Sequence, residues 1–194
     1  MSYDASAIMT PANAVSVARI VLSPVLFVLI LMNGPSYPAL FAGIVIAVSD
    51  GLDGFLARRH GATRSGAFLD PLADKVLVLG ALACMVAVQE FPRVPALLIG
   101  ARELAISVYR SFWAKRGVAV PARRSAKVKT VIQELAIAFA LVPPIARHAR
   151  WFPLALLWLA VVLTLWSGAQ YVLDGQRART RFGVRENREN GVDR

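Results

Sequence analysis

Six long apolar stretches dominate this chain, at about 13–33, 38–59, 67–89, 94–114, 125–146 and 151–173. Each approaches the roughly 20 mostly apolar residues that a membrane-crossing helix needs. Breakers separate them. Asn33-Gly34-Pro35 closes the first and His60-Gly61-Ala62-Thr63 the second. Phe91-Pro92, the segment from Gly117 to Pro121, and Pro143-Pro144 with the basic run behind it divide the rest. The second, fourth and fifth stretches carry polar residues toward one end. The pattern predicts an all-α, polytopic membrane bundle of six transmembrane helices. It has a short N-terminal segment at 1–12, a helical domain at 13–173 and a polar, basic tail at 174–194. No internal repeat is visible.

Composition agrees. The chain is 57% hydrophobic, against about 45–50% for a soluble domain, and 194 residues suit one bundle rather than two domains. The single cysteine, Cys84, excludes an intramolecular disulfide and reads as a small apolar side chain. The N-terminus lacks the basic region of a secretory signal, and Val15 to Met32 is long enough to span. The formal charge of +10 would suggest nucleic acid in a soluble protein. Here the cations cluster between apolar stretches, which implies membrane orientation and attraction for anionic lipid or phosphate, with no nucleic-acid partner.

The loops set the orientation. The second holds Arg58, Arg59 and Arg64, and the fourth holds Lys115, Arg116, Arg123 and Arg124. The tail adds Arg177, Arg179, Arg181, Arg185 and Arg188, while the other side has only Arg93, Arg147 and Arg150. The positive-inside rule puts both termini in the cytoplasm. His60 and His148 are lone loop residues, and Trp113, Trp151, Phe152, Trp158 and Trp166 read as interfacial belt or lipid contact.

Candidate chemistry concentrates at four aspartates. Asp50, Asp53, Gly54 and Ala57 follow the i, i+3, i+4, i+7 spacing of one helical face; Gly66, Asp70 and Asp74 follow i, i+4, i+8. Two adjacent antiparallel helices joined by a short loop can turn these faces together. Four unneutralised carboxylates would raise one another's pKa values and take up protons. Divalent metal resolves this, and oxygen-only ligands suit two hard ions, Mg²⁺ or Mn²⁺. Paired metals are a common apparatus for phosphoryl chemistry. Gly54, Ala57 and Gly66 clear side chains from the acidic face, and Arg58 is placed to pair with a phosphate or a carboxylate. The same residues admit other readings: aspartates lining a cation or proton path, as in a transporter, and glycines serving helix packing.

A second polar set lies in the fourth and fifth stretches. Arg102, Glu103, Ser107 and Arg110 interrupt the fourth; Lys127, Lys129, Thr130, Gln133 and Glu134 interrupt the fifth. Internal pairing, such as Glu103 with Arg110 or Glu134 with Lys127, accounts for part of it. The cations outnumber the two glutamates, so Arg102, Arg110, Lys127 and Lys129 are candidates for holding a substrate phosphate.

Asp50, Asp53, Gly54, Ala57, Arg58, Gly66, Asp70 and Asp74, in this spacing, resemble the signature of the CDP-alcohol phosphatidyltransferases. The resemblance implies that the aspartates hold two divalent ions, that Asp74 is the general base, and that Gly54, Ala57 and Gly66 make room for the CDP group of CDP-diacylglycerol, with Arg58 beside it. It puts Asn13 and Arg19 of the first stretch on the nucleotide side. Further likeness runs through Pro11 to Arg19, Arg59 to Lys75, Ala101 to Glu103, Lys127 to Thr130 and Leu163 to Tyr171. It implies glycerol 3-phosphate as acceptor, with CMP released; inositol phosphate or phosphatidylglycerol are the alternatives. A homodimer is expected, with Gly80 and Cys84 as a small-residue contact.

Overall fold

The computed structural model describes the backbone of residues 11–60, 66–114 and 124–170, and side chains over 17–49, 72–109, 111–112 and 128–170. Seven α-helices lie within these residues, and no strand. They are α1 (Pro11–Asn33), α2 (Tyr37–His60), α3 (Gly66–Ala87), α4 (Arg93–Ala114), α5 (Arg124–Leu141), α6 (Pro143–His148) and α7 (Trp151–Gln170). The expected all-helical class is met. Among the described residues one helix, α7, is by itself long and apolar enough to cross a membrane. Val17–Asn33 and Tyr37–Ser49 are shorter apolar segments, while α4 and α5 are interrupted by Arg102, Glu103, Lys129 and Glu134.

The breaks follow from backbone chemistry. At the end of α1, Gly34 takes a left-handed φ of 60° and its N–H donates to the Ile30 carbonyl, so the chain turns before Pro35. The fifth apolar stretch, expected as one helix, is two. Pro143 has no N–H to continue the ladder, so α5 stops at Leu141 and Val142 turns extended before α6. The third ends at Ala87 rather than 89. There Gln89 N–H donates to Val86 O and Glu90 N–H to Met85 O, the double closure of a Schellman turn, with Gln89 at φ 60°. Arg150 donates to the carbonyls of Gln89 and Glu90, tying the start of α7 to this terminus.

The helices pack around α3, which touches α1, α4 and α5, while α1 also packs on α2 and α2 on α5. Arg19, Ser23, Leu26 and Ile30 line one face of α1 and are all buried. Opposite them, α3 presents Asp74, Val78, Ala81 and Met85 at the same spacing. The two helices run parallel, since Arg19 meets Asp74 and Phe27, further on, meets Gly80. A Cβ built on Gly80 would lie 2.2 Å from Phe27 Cζ, so the ring fills the room the glycine leaves. The expected small-residue contact between two copies is therefore corrected: this side of Gly80 is covered by the chain's own Phe27, and Cys84 is buried.

Apolar side chains also face outward in stripes. On α1 they are Val17, Val21, Val25, Val28 and Met32; on α4 they are Val94, Leu97, Leu104 and Val108. Trp151, Trp158 and Trp166 of α7 are exposed as expected, whereas Phe152 is half-buried, edge-on to Phe139 at 5.0 Å.

Gly80→Ala should cost about 1–3 kcal/mol of stability through overpacking against Phe27. Thermal unfolding followed by circular dichroism measures this, and adding Phe27→Leu should recover part of the loss. A Gly80→Ala melting temperature equal to wild type would show that the seam between α1 and α3 is looser than this.

Candidate functional site

The helical backbone of α2 runs unbroken through Asp50, Asp53, Gly54, Ala57 and Arg58, and that of α3 through Gly66, Asp70 and Asp74. Helical periodicity therefore keeps each acidic set on one face. The side chains of Asn13, Asp50, Asp53, Gly54, Ala57, Arg58, Gly66 and Asp70 fall outside the described residues, and so does the convergence of the two faces. Asp74 falls within them. Among the described residues there is no group of three or more potential metal-binding side chains.

Asp74 sits two turns into α3, where α3 meets α1. Arg19 Nη1 donates to Asp74 Oδ1 at 2.8 Å. The two partners differ in environment: the arginine side chain is 1% exposed and the carboxylate 43%. Arg19 lies one turn before Pro24, the proline inside α1, whose missing N–H leaves the Ile20 carbonyl without its helical donor. Ser23 Oγ donates to the Arg19 carbonyl at 2.7 Å, bonding back onto the same turn.

The second site joins α4, α5 and α7. Glu103 Oε1 accepts from Arg102 Nη1 at 3.0 Å and from Lys129 Nζ. The other end of the Arg102 fork, Nη2, donates to Ser167 Oγ of α7 at 2.8 Å. Gly168 makes room for the Arg102 stem, since a Cβ there would lie 3.1 Å from Arg102 Nε. One turn beyond Lys129, Gln133 Nε2 donates to Thr164 Oγ1 at 3.1 Å, both residues buried. Within the trio, two cations share one carboxylate. A guanidinium and an amine gathered at one site are groups suited to an anion with several oxygens.

Sequence reasoning placed Arg102 and Lys129 in one cluster, and they do meet. It offered Arg110 as the partner of Glu103, yet Glu103 is engaged by Arg102 and Lys129. Arg110 and Lys127 have side chains outside the described residues. Ser167, Gln133 and Thr164 went unassigned, although each is a polar residue in an apolar helix and so signals a polar interior. Arg19 was placed near the nucleotide without a partner; its signal was a cation within a spanning stretch, which calls for an anion.

A family model, CDP-alcohol phosphatidyltransferase, matches residues 9–166. The chain belongs to that family of enzymes. Among its relatives is the CDP-diacylglycerol–glycerol-3-phosphate 3-phosphatidyltransferase of Salmonella choleraesuis, 39% identical over 163 residues that cover 79% of this chain and 88% of the relative. The protein of the same name from Escherichia coli K12 is 39% identical over 164 residues, covering 79% and 88%. That from Rickettsia bellii is 32% identical over 165 residues, covering 82% and 91%.

The trio predicts a hierarchy of stability effects. Glu103→Gln removes the negative charge shared by two enclosed cations and should destabilise by about 3–5 kcal/mol. Ser107→Ala should have a smaller effect, because its hydroxyl only bonds back to the Glu103 carbonyl. Equal melting temperatures for the two variants would remove Glu103 from its place at the centre of the cluster.

Proposed function

We propose that this protein moves the phosphatidyl group of CDP-diacylglycerol to glycerol 3-phosphate, giving phosphatidylglycerophosphate and CMP. The observation that carries it is the 39% identity, over 88% of their length, to relatives named for that reaction. The reading sets six helices across a bacterial inner membrane, with both termini and the active site on the cytoplasmic face. Outward apolar stripes on the helices and the distribution of arginine among the loops support it. Assembly as a homodimer belongs to the same reading.

Asp50, Asp53, Asp70 and Asp74 would hold two Mg²⁺ or Mn²⁺ ions. The donor set fits, because carboxylate oxygens are the ligands hard divalent ions prefer, and Asp74 keeps its carboxylate at an accessible edge. When bound, such ions neutralise charge on a diphosphate and on departing CMP. The remaining work belongs to the chain. Gly54, Ala57 and Gly66 leave room for the CDP group, with Arg58 and Asn13 beside it. Arg102, Arg110, Lys127 and Lys129 hold the acceptor's phosphate and orient its hydroxyl. Asp74 removes the hydroxyl proton as oxygen attacks the β-phosphorus; the new P–O bond forms as the bond to CMP breaks.

The gathering of Arg102 and Lys129 at one site favours a phosphorylated acceptor over serine, which would need no cations there. The test is CMP release by purified protein in detergent with CDP-diacylglycerol and Mg²⁺. Glycerol 3-phosphate, inositol phosphate, phosphatidylglycerol and serine are compared, each with and without chelator. Chelator-sensitive release with glycerol 3-phosphate alone is expected. Release with another acceptor keeps the family chemistry and replaces the acceptor. Silence with all four, from folded protein, overturns the reading.

Asp74→Asn should abolish transfer while CDP-diacylglycerol still binds, as measured by titration calorimetry. Wild-type turnover by this variant would take the base role away from Asp74.

A further inference from the structure

We infer that Arg19 is a positioning residue for Asp74. It fixes the carboxylate through Oδ1 and holds it at the edge of the bundle, where substrate can reach it. The inference rests on the transferase reading, since it gives Asp74 something to be positioned for.

Three observations carry it. The first is the asymmetry of burial. An ion pair enclosed at both ends bears the desolvation cost of both charges, and one exposed at both ends contributes little. Here the guanidinium is 1% exposed and the carboxylate 43%. The enclosed partner is the one that cannot reach a substrate, and the accessible partner is the one with chemistry to do.

The second is the rigidity of the mount. Arg19 belongs to the inward face of α1 with Ser23, Leu26 and Ile30, whose exposures are 0%, 3% and 0%. Further along the same seam, the Phe27 ring occupies the space above Gly80. Such packing leaves the arginine backbone little freedom, so the guanidinium sets a fixed point for Oδ1. A fixed donor narrows the orientations that a partly exposed carboxylate can take, which favours a single attack geometry.

The third is the choice of side chain. Arginine presents donors in a rigid fork, so it holds a carboxylate in one orientation. Lysine supplies the same charge on a flexible stem.

A structural role and a positioning role predict different kinetics. Purified Arg19→Gln and Arg19→Lys are compared with wild type for kcat, for KM with glycerol 3-phosphate, for the calorimetric Kd of CDP-diacylglycerol with Mg²⁺, and for melting temperature. Positioning predicts a fall in kcat of roughly 100-fold for Arg19→Gln, the scale of a small misplacement of a reacting group. Under it, Kd and KM change little. Arg19→Lys keeps charge but not the fork; it should fold like wild type, bind CDP-diacylglycerol normally and recover part of kcat.

Three results overturn the inference. One is a kcat that is unchanged in both variants. Another is a loss of Kd and kcat together, in step with melting temperature, which marks Arg19 as purely structural. The third is an Arg19→Lys that folds normally yet is no better than Arg19→Gln. Should Arg19→Gln fail to fold, the lysine variant decides alone: full kcat overturns positioning, and reduced kcat with unaltered Kd supports it. The wild-type control separates the two levels of reading. A wild type silent with every acceptor removes the transferase function itself, whereas an active wild type with indifferent Arg19 variants removes only this inference.

Discussion

A charge carried into an apolar bundle has to be met there, and the Arg19–Asp74 pair shows what that requirement does to a fold. An enclosed guanidinium without a partner would cost several kcal/mol. The observed register of α1 on α3 brings Asp74 to it. The packing of Phe27 over Gly80 fixes that register. A slip of one helical turn would part Arg19 from Asp74 and drive the ring into a side chain. The seam thus combines an ion pair at one end with a volume constraint further along. Because α3 also touches α4 and α5, its placement carries through to the second polar site.

That second site obeys the requirement differently. Glu103 serves two cations, and the other end of the Arg102 fork is taken up by Ser167 on a third helix. Gln133 and Thr164 continue the polar line between α5 and α7 without any charge. The same helices turn Val128, Val131, Trp158 and Val162 outward. Each helix is divided lengthwise into an apolar outer stripe and an inner face that is polar only near the site. A helix built this way scores poorly as a membrane span by average hydropathy while setting charges such as Arg102, Glu103 and Lys129 against one another.

What could be read from the sequence follows from which forces act locally. The break after the first helix was legible because Asn33-Gly34-Pro35 carries its own instructions: a residue free to take φ 60° and a proline to stop the ladder. The break at Val142 was hidden within an apolar run, since hydropathy does not register a missing N–H. The end of α3 was placed too late because a Gln, not a Gly, takes the left-handed position there. In the sites, spacing can put Asp70 with Asp74 and Asp50 with Asp53 on single faces because that is a property of one helix, and the backbone is helical through all four. Partners on different helices were not legible. Arg19 and Asp74 are 55 positions apart, and Glu103 and Lys129 are 26 apart. The i+7 relation between Glu103 and Arg110 offered a plausible local partner, whereas the packing of α4 brings Glu103 to Lys129 of α5. Gly80 was visible as a small residue, but sequence cannot say whether the ring above it belongs to the same chain.

The two polar sites are also linked by an arrangement that needs no moving part. Asp74 and Lys75 are consecutive residues of α3. Neighbours on an α-helix point about 100° apart around the axis, so one turn of α3 addresses two sides of the bundle. Asp74 meets Arg19 of α1, and α3 also packs on α5, the helix that carries Lys129. The carboxylate side has the character to take up a proton or a hard cation, and the cationic side has the character to receive a phosphate. A reaction that joins a hydroxyl on a phosphorylated acceptor to an activated diphosphate needs both characters within one small molecule's reach. Consecutive positions on one rigid helix supply that proximity by covalent geometry, and the α1 seam then has only to hold that helix still.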